Sequence, residues 1–195
     1  MAKKLISDKS YAIDSIRRGY RIMDKLTDEL KNDREVISEG ILRNAYNLKF
    51  ASDELKNDYK LVAEAFKRRW KSIQYASPKI RDNHKFMYEV IKRYGLALQY
   101  ASKRIRDERS IVMRAVIKDP FAVEFASDRL KADKDFMKEV VALDGRTLVY
   151  ASEKLKDDVE IVDIAVKENP YSINYASNRL RNLFDEFVNI EVGEE

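Results

Sequence analysis

One triplet organises this chain. Phe50-Ala51-Ser52 returns as Tyr75-Ala76-Ser77, Tyr100-Ala101-Ser102, Phe125-Ala126-Ser127, Tyr150-Ala151-Ser152 and Tyr175-Ala176-Ser177, every 25 residues and without insertion. Three residues after each Ser stands Leu55, Ile80, Ile105, Leu130, Leu155 or Leu180. Leu30 keeps the register, and Leu5-Ile6-Ser7-Asp8 lies one period before Leu30-Lys31-Asn32-Asp33. Self-similarity at a fixed period of about 20–50 residues commits a chain to a stack of like units, each burying its apolar face on its neighbours.

The unit reads as two short helices. From Asp107 to Asp133, Ile111, Val112, Ala115 and Val116 form one apolar stripe at i, i+1, i+4 and i+5. Asp107 or Glu108 stands before it, where a carboxylate accepts from the first free N–H groups. Pro120 ends this first helix, with Asp119 as N-cap and Pro120 as first residue of the next. Asn169-Pro170 repeats the signal, and Gly95 and Gly145 take the same slot in alternate units. Val123, Ala126, Ser127 and Leu130 then predict a second helix ending near Lys131. Two helices of about three turns with tight turns fill the unit and leave no room for long loops.

Openings at Asp8, Asp33, Asp58, Asn83, Glu108, Asp133 and Asp158 predict seven helix pairs over residues 8–182. Phe184-Asp185-Glu186-Phe187-Val188 breaks the pattern and predicts a capping helix over 183–191, with Glu191–Glu195 as a frayed tail. The fold class is all-α: one α-solenoid of tandem 25-residue two-helix repeats. A period of 50 overlies it. Phe86-Met87 and Phe136-Met137 alternate with Ile111-Val112 and Ile161-Val162, Val90 and Val140 with Ala115 and Ala165, and Gly95 and Gly145 with Pro120 and Pro170. Large residues facing small ones keep successive layers close-packed.

Composition removes other classes. Hydrophobic residues make up 45% of the 195, too many for a disordered chain, and no apolar run reaches the length of a membrane span. There is no Cys, hence no disulfide, Cys-type zinc site or thiol nucleophile. Lys3 and Lys4 are followed only by Leu5-Ile6 as an apolar pair, too little for a secretory signal, so a reducing cytoplasm is the expected location.

Tyr150-Ala151-Ser152-Glu153-Lys154-Leu155-Lys156-Asp157-Asp158, continuing through Ala165-Val166-Lys167, resembles a known short two-helix repeat. That family is catalogued as a domain of unknown function, number four-one-one-six, and the likeness covers residues 25–181. The resemblance implies a helical repeat fold and occurrence in bacterial, phage and giant-virus proteins, with host cytoplasm a further location, but it brings no activity. The unit length is also similar to that of leucine-rich-variant repeats, in which one helix is 3₁₀. Pro78 inside the second-helix segment points the same way.

Residues able to do chemistry are few. His84 is the one histidine, and it fills a slot that elsewhere holds Arg34, Tyr59, Arg109 or Lys134, which reads as solvated surface. No Gly-rich phosphate loop or nucleophile elbow occurs, and the recurring carboxylates sit at helix starts where capping explains them. The expectation is a monomeric, non-enzymatic protein with no cofactor or metal, no membrane and no small-molecule substrate.

Two ladders and one corner remain. Lys31, Lys56, Arg81, Arg106, Lys131, Lys156 and Arg181 share a slot, either as an exposed basic stripe or as helix-end residues that offset the helix dipole. Tyr75 with Lys79, Tyr100 with Arg104, Phe125 with Arg129, Tyr150 with Lys154 and Tyr175 with Arg179 pair an aromatic with a cation at i, i+4. On a helix these make a base-stacking platform for single-stranded nucleic acid or, alternatively, inter-layer packing. Residues 1–100 carry a net +8 and residues 101–195 a net −4. The positive excess gathers where the first helix turns into the second, at Arg43, Lys67, Arg68, Arg69, Trp70 and Lys71, then Lys92, Arg93 and Tyr94. Trp70, the only Trp, is there either as a binding hot spot or as filler of an irregular joint. The corner suits an acidic protein surface or a nucleic-acid backbone. The leading expectation is therefore a protein-binding scaffold, with an inhibitor or effector of a host or defence complex as its special case. Nucleic-acid binding, RNA or DNA, through the basic half is the alternative.

Overall fold

The computed structural model describes residues 5–184, and the chain divides into two compact units, residues 1–87 and 88–195. Seven long α-helices recur at the expected spacing: Lys9–Arg17, Arg34–Arg43, Tyr59–Arg68, His84–Arg93, Arg109–Lys118, Lys134–Leu143 and Val159–Glu168. The residue before most of them adopts extended backbone, and its side chain accepts from the third N–H, as Asp58 does from Leu61 at 3.0 Å and Asp133 from Phe136 at 2.8 Å. Glu108 carries one methylene more and makes no such bond. The stripe Ile111, Val112, Ala115 and Val116 is fully buried, as the pattern requires.

The expected second helix is two elements. The first is a six-residue 3₁₀ segment: Ala45–Phe50, Trp70–Tyr75, Gly95–Tyr100, Pro120–Phe125, Gly145–Tyr150 and Pro170–Tyr175. The second is a single α-turn: Asp28–Lys31, Asp53–Lys56, Pro78–Arg81, Lys103–Arg106, Asp128–Lys131 and Glu153–Lys156. The triplet lies at the break between them. Its aromatic residue closes the 3₁₀ segment, its Ala is extended and buried, and its Ser caps the α-turn by accepting from the N–H three residues on, as Ser77 does from Ile80 at 3.2 Å. Ser has a local hydrogen-bonding alternative to helix and takes it here. Pro78 breaks nothing, since it is the first residue of its α-turn, where no N–H is needed.

Ser also joins successive repeats. Its N–H donates to the last carbonyl of the preceding α-turn, from Ser52 to Lys31, Ser77 to Lys56, Ser127 to Arg106, Ser152 to Lys131 and Ser177 to Lys156, at 2.9–3.0 Å. Its hydroxyl donates to the Asn or Asp that follows that turn, Ser52 to Asn32 at 2.5 Å, Ser77 to Asn57 at 2.7 Å, Ser127 to Asp107 and Ser177 to Asp157. Ala132 offers Ser152 no such side-chain acceptor.

The 50-residue period is visible as alternating burial of one slot. Ala45, Gly95 and Gly145 are buried; Trp70, Pro120 and Pro170 are not. A Cβ on Gly95 would lie 2.5 Å from the Ala115 carbonyl oxygen, and one on Gly145 would lie closer still to that of Ala165. The glycines are there because the following long helix ends against them.

The first repeat differs from the rest. Its long helix stops at Gly19 (φ +90°), where the Tyr20 N–H reaches back to the Ser15 carbonyl, and its 3₁₀ segment is only Met23–Lys25. At the other end, residues 178–184 are helical without the stop seen after four residues elsewhere. Residues 185–191 of the expected cap, and the tail beyond, lie outside the described residues.

Candidate functional site

Each repeat offers two edges, one where the long helix starts and one where it ends. The starting edge is knitted by ion pairs between successive repeats. Lys9 binds Asp33 at 2.8 Å and Glu35 at 2.9 Å, Arg34 binds Asp58, and Lys134 binds Asp158 at 2.7 Å and Glu160 at 3.0 Å. The Lys134 ammonium, aided by backbone N–H groups, holds the Asp158 carboxyl below the usual carboxylate range, and Lys138 and Lys134 do the same to Glu160. The slot shared by Arg34, Arg109, Lys134 and His84 is therefore not idle surface. In the first three of these residues the side chain is half-exposed but engaged with the next repeat.

The ending edge is different. The residue between long helix and 3₁₀ segment is extended in every repeat from the second on, with φ between −137° and −159°. Four repeats place Asn44, Asp119, Asp144 or Asn169 there, and the side chain accepts from the N–H two residues on at 3.0–3.2 Å. The third and fourth repeats place Arg69 and Tyr94 there instead, and neither makes a side-chain cap. The two corners singled out from the sequence are the two that forgo this bond.

Within the first unit, Arg43, Arg68 and Arg69 line one shallow cleft of about 450 Å³ together with Leu42 and Tyr46. All three arginines are exposed, and among the described residues none of them, nor Lys67 or Lys71, has a carboxylate within 4.0 Å. Residues 65–81 contain six cations and no carboxylate. Trp70 is half-buried, in the outward phase of its slot, with the Lys71 ammonium 5.5 Å from its ring centre. In the second unit Lys92 and Arg93 end a long helix and are exposed, as is Tyr94. Exposed apolar side chains occur at this edge, Tyr20 and Leu42 in the first unit and Tyr94, Ile117, Leu143 and Tyr171 in the second, and also at the starting edge, as Tyr11, Tyr59 and Val159 show.

The two ladders occupy different places in the repeat. Lys31, Lys56, Arg81, Arg106, Lys131 and Lys156 each end an α-turn, half-buried, with several folded back on their own turn: Lys31 onto Asp28 at 3.2 Å, Lys156 onto Glu153 at 2.8 Å and Arg81 onto the Ala76 carbonyl at 3.2 Å. The aromatic–basic pairs do not share a helix face, because Tyr75 ends a 3₁₀ segment and Lys79 lies in the next α-turn, and so for Tyr100 with Arg104 and Tyr150 with Lys154. Arg129 and Arg179 instead bind the carboxylate and carbonyl of Asp107 and Asp157 in the preceding repeat. The Tyr75 ring packs edge-on against Tyr46, and Tyr150 against Phe121. A single continuous second helix hides this arrangement, although Ser before a four-residue stretch closed by a cation is a cap signal.

Sequence inspection also missed Arg21 and Lys49, which line a second cleft with Arg43. The signal was Gly19-Tyr20-Arg21, where the first repeat leaves the common pattern. Among the described residues no group of three or more His, Asp or Glu is placed to hold a metal ion, and no helix is long and apolar enough to cross a membrane.

Fold and edges together define an α-solenoid of tandem repeats. The chain belongs to the family described as Domain of unknown function (DUF4116), which it matches over residues 33–81, 83–131 and 133–181, three super-repeats in succession. No curated protein and no solved structure shows a significant match.

Proposed function

We propose that the protein is a non-enzymatic binding scaffold that holds an acidic protein partner at the edge where its long helices end, with the corner at Arg69 as the centre. The observation that carries this is the uncapped corner. Where four other repeats use Asn or Asp, the third gives up that bond at Arg69 and the fourth at Tyr94, and departures from a local rule collect at functional sites. Around Arg69, cations without carboxylate partners adjoin exposed Leu42 and half-buried Trp70. Arg and Trp beside apolar surface is the composition of binding hot spots. A partner presenting Asp and Glu around an apolar anchor complements it. The scaffold then acts by occupying a partner's surface, as an inhibitor or effector does.

The test is a pull-down from cell extract comparing the wild type with Trp70→Ala and with Arg68→Glu/Arg69→Glu. Loss of one partner in both variants is expected, and retention of every partner in both would refute the site. A salt titration with single-stranded RNA and duplex DNA separates the nucleic-acid reading. Tight binding that falls steeply between low and moderate salt would replace the protein partner with a phosphate backbone.

A further inference from the structure

The irregular first repeat opens a cleft beside its own turn. Where the later repeats carry a six-residue 3₁₀ segment, the first has only Met23–Lys25 after the turn at Gly19. The gap is a cleft of about 550 Å³ in the first unit, within the range of about 300–1,000 Å³ typical of small-ligand sites. Its lining includes Arg21, Arg43 and Lys49 on three different segments, one carboxylate (Asp24), and the rings of Tyr20 and Phe50. None of the three cations has an ion-pair partner among the described residues, and Asp24 itself lies beyond 4.0 Å of all of them.

Gly19 ties this cleft to the sequence twice over. Its φ of +90° is a conformation that L side chains rarely adopt, and a Cβ there would lie 2.5 Å from an Arg43 guanidinium nitrogen. The absent side chain is what lets Arg43 lie across the turn. Asn44 is committed through its side-chain oxygen to the Tyr46 N–H, which leaves its amide N–H groups as further donors in the lining.

We propose that this cleft binds a small phosphate ester carrying a flat ring, the chemistry of a nucleoside phosphate. Arg21, Arg43 and Lys49 hold the phosphates, with Arg able to grip two oxygens at once. The exposed Tyr20 offers a face for the ring, while the Phe50 ring carries the Lys49 ammonium 4.7 Å from its centre and so holds that cation at the cleft. Asp24 is the one carboxylate acceptor suited to a sugar hydroxyl. No Gly-rich loop is used; side-chain cations replace backbone N–H groups.

The site shares Arg43 with the protein-docking reading but does not depend on it. The experiment is calorimetric titration of the full chain at low salt with ADP and, separately, inorganic pyrophosphate. Saturable one-to-one binding of ADP is expected, weakened at least tenfold in Arg21→Ala/Lys49→Ala and by less than about threefold in Arg68→Ala/Arg69→Ala, whose charges lie outside the cleft. Weaker binding of pyrophosphate than of ADP supports the ring contact. No saturable binding of either probe, or equal losses in both double variants, would overturn the proposal. Circular dichroism of each variant establishes that the helices are intact. Failure of the pull-down with retained ADP binding would refute the docking edge alone, and the reverse would refute this cleft alone.

Discussion

Arg69→Asn is the most informative single change, because it separates stability from function in opposite directions. Arg69 already has the cap backbone, with φ −148° and ψ 111°, against −154° and 115° for Asn44 and −144° and 111° for Asn169. No rearrangement is needed for the side-chain oxygen of an asparagine substituted there to accept from the Lys71 N–H, at about the 3.0–3.1 Å seen at Asn44 and Asn169. A cap of this kind contributes about 0.5–2 kcal/mol, typically ~1. Removing one of several like charges at an acid-free corner adds to it in the same direction. For a chain of this size ~1 kcal/mol corresponds to roughly 2–4 °C in Tm. Differential scanning calorimetry or urea unfolding should therefore show a more stable protein. The same variant should bind the acidic partner more weakly, because a guanidinium at the centre of the cleft is gone. An unchanged or lower Tm would refute the claim that this corner gives up a cap. A raised Tm with undiminished binding would sink the claim that it does so for a partner.

Other outcomes follow from the packing and the ladders. Gly145→Ala drives a methyl into the Ala165 carbonyl, an overpacking cost of about 3 kcal/mol partly offset by ~1 kcal/mol from the stiffer unfolded chain, so a net loss of about 2 kcal/mol is expected by urea unfolding, while Pro170→Ala in the outward phase should cost under ~1 kcal/mol. Ser127→Ala removes both a cap and the hydroxyl bond to Asp107, whereas Ser152→Ala removes a cap alone, so Ser127→Ala should lower Tm more; equal losses would show that the hydroxyl rung contributes nothing. Asp158 and Glu160 are held below their usual range by Lys134 and Lys138, so the stability they bring is complete above the unfolded-state carboxylate values of about 4 and is lost as pH falls through the lower folded-state values. The stability difference between wild type and Lys134→Met should accordingly narrow from pH 7 to pH 3.

The period, the long helices and the alternating Gly/Pro slot were legible because each rests on a local rule that repeats. Asp before an apolar stripe means a cap wherever it occurs, and the instances along the chain reinforce one another. The split of the second helix was less legible because its apolar spacing, Val123, Ala126, Ser127 and Leu130, fits a helix as well as it fits a 3₁₀ segment followed by one α-turn. What decides between them is Ser127 donating to Asp107 in the previous repeat and capping its own turn, a tertiary contact that no single unit contains. The basic corner was visible as charge. Its missing caps were not, since Arg69 and Tyr94 look ordinary until Asn44, Asp119, Asp144 and Asn169 are seen accepting bonds in the same place.

The two edges differ in how much a substitution would disturb the fold. Stack integrity rests on the buried apolar stripes and on the Ser rungs, whose backbone N–H bond to the preceding α-turn does not depend on the side chain. At the ending edge four repeats gain a side-chain cap worth about 1 kcal/mol, and the slot after it alternates between a buried phase and an open one. Substitution in the open phase disturbs little, which is where Trp70 stands while Gly95 and Gly145 are held small by the next helix. On the proposed reading, the candidate positions are those where a repeat forgoes its corner cap or turns a ring outward, Arg69 and Trp70 in the first unit and Tyr94 in the second.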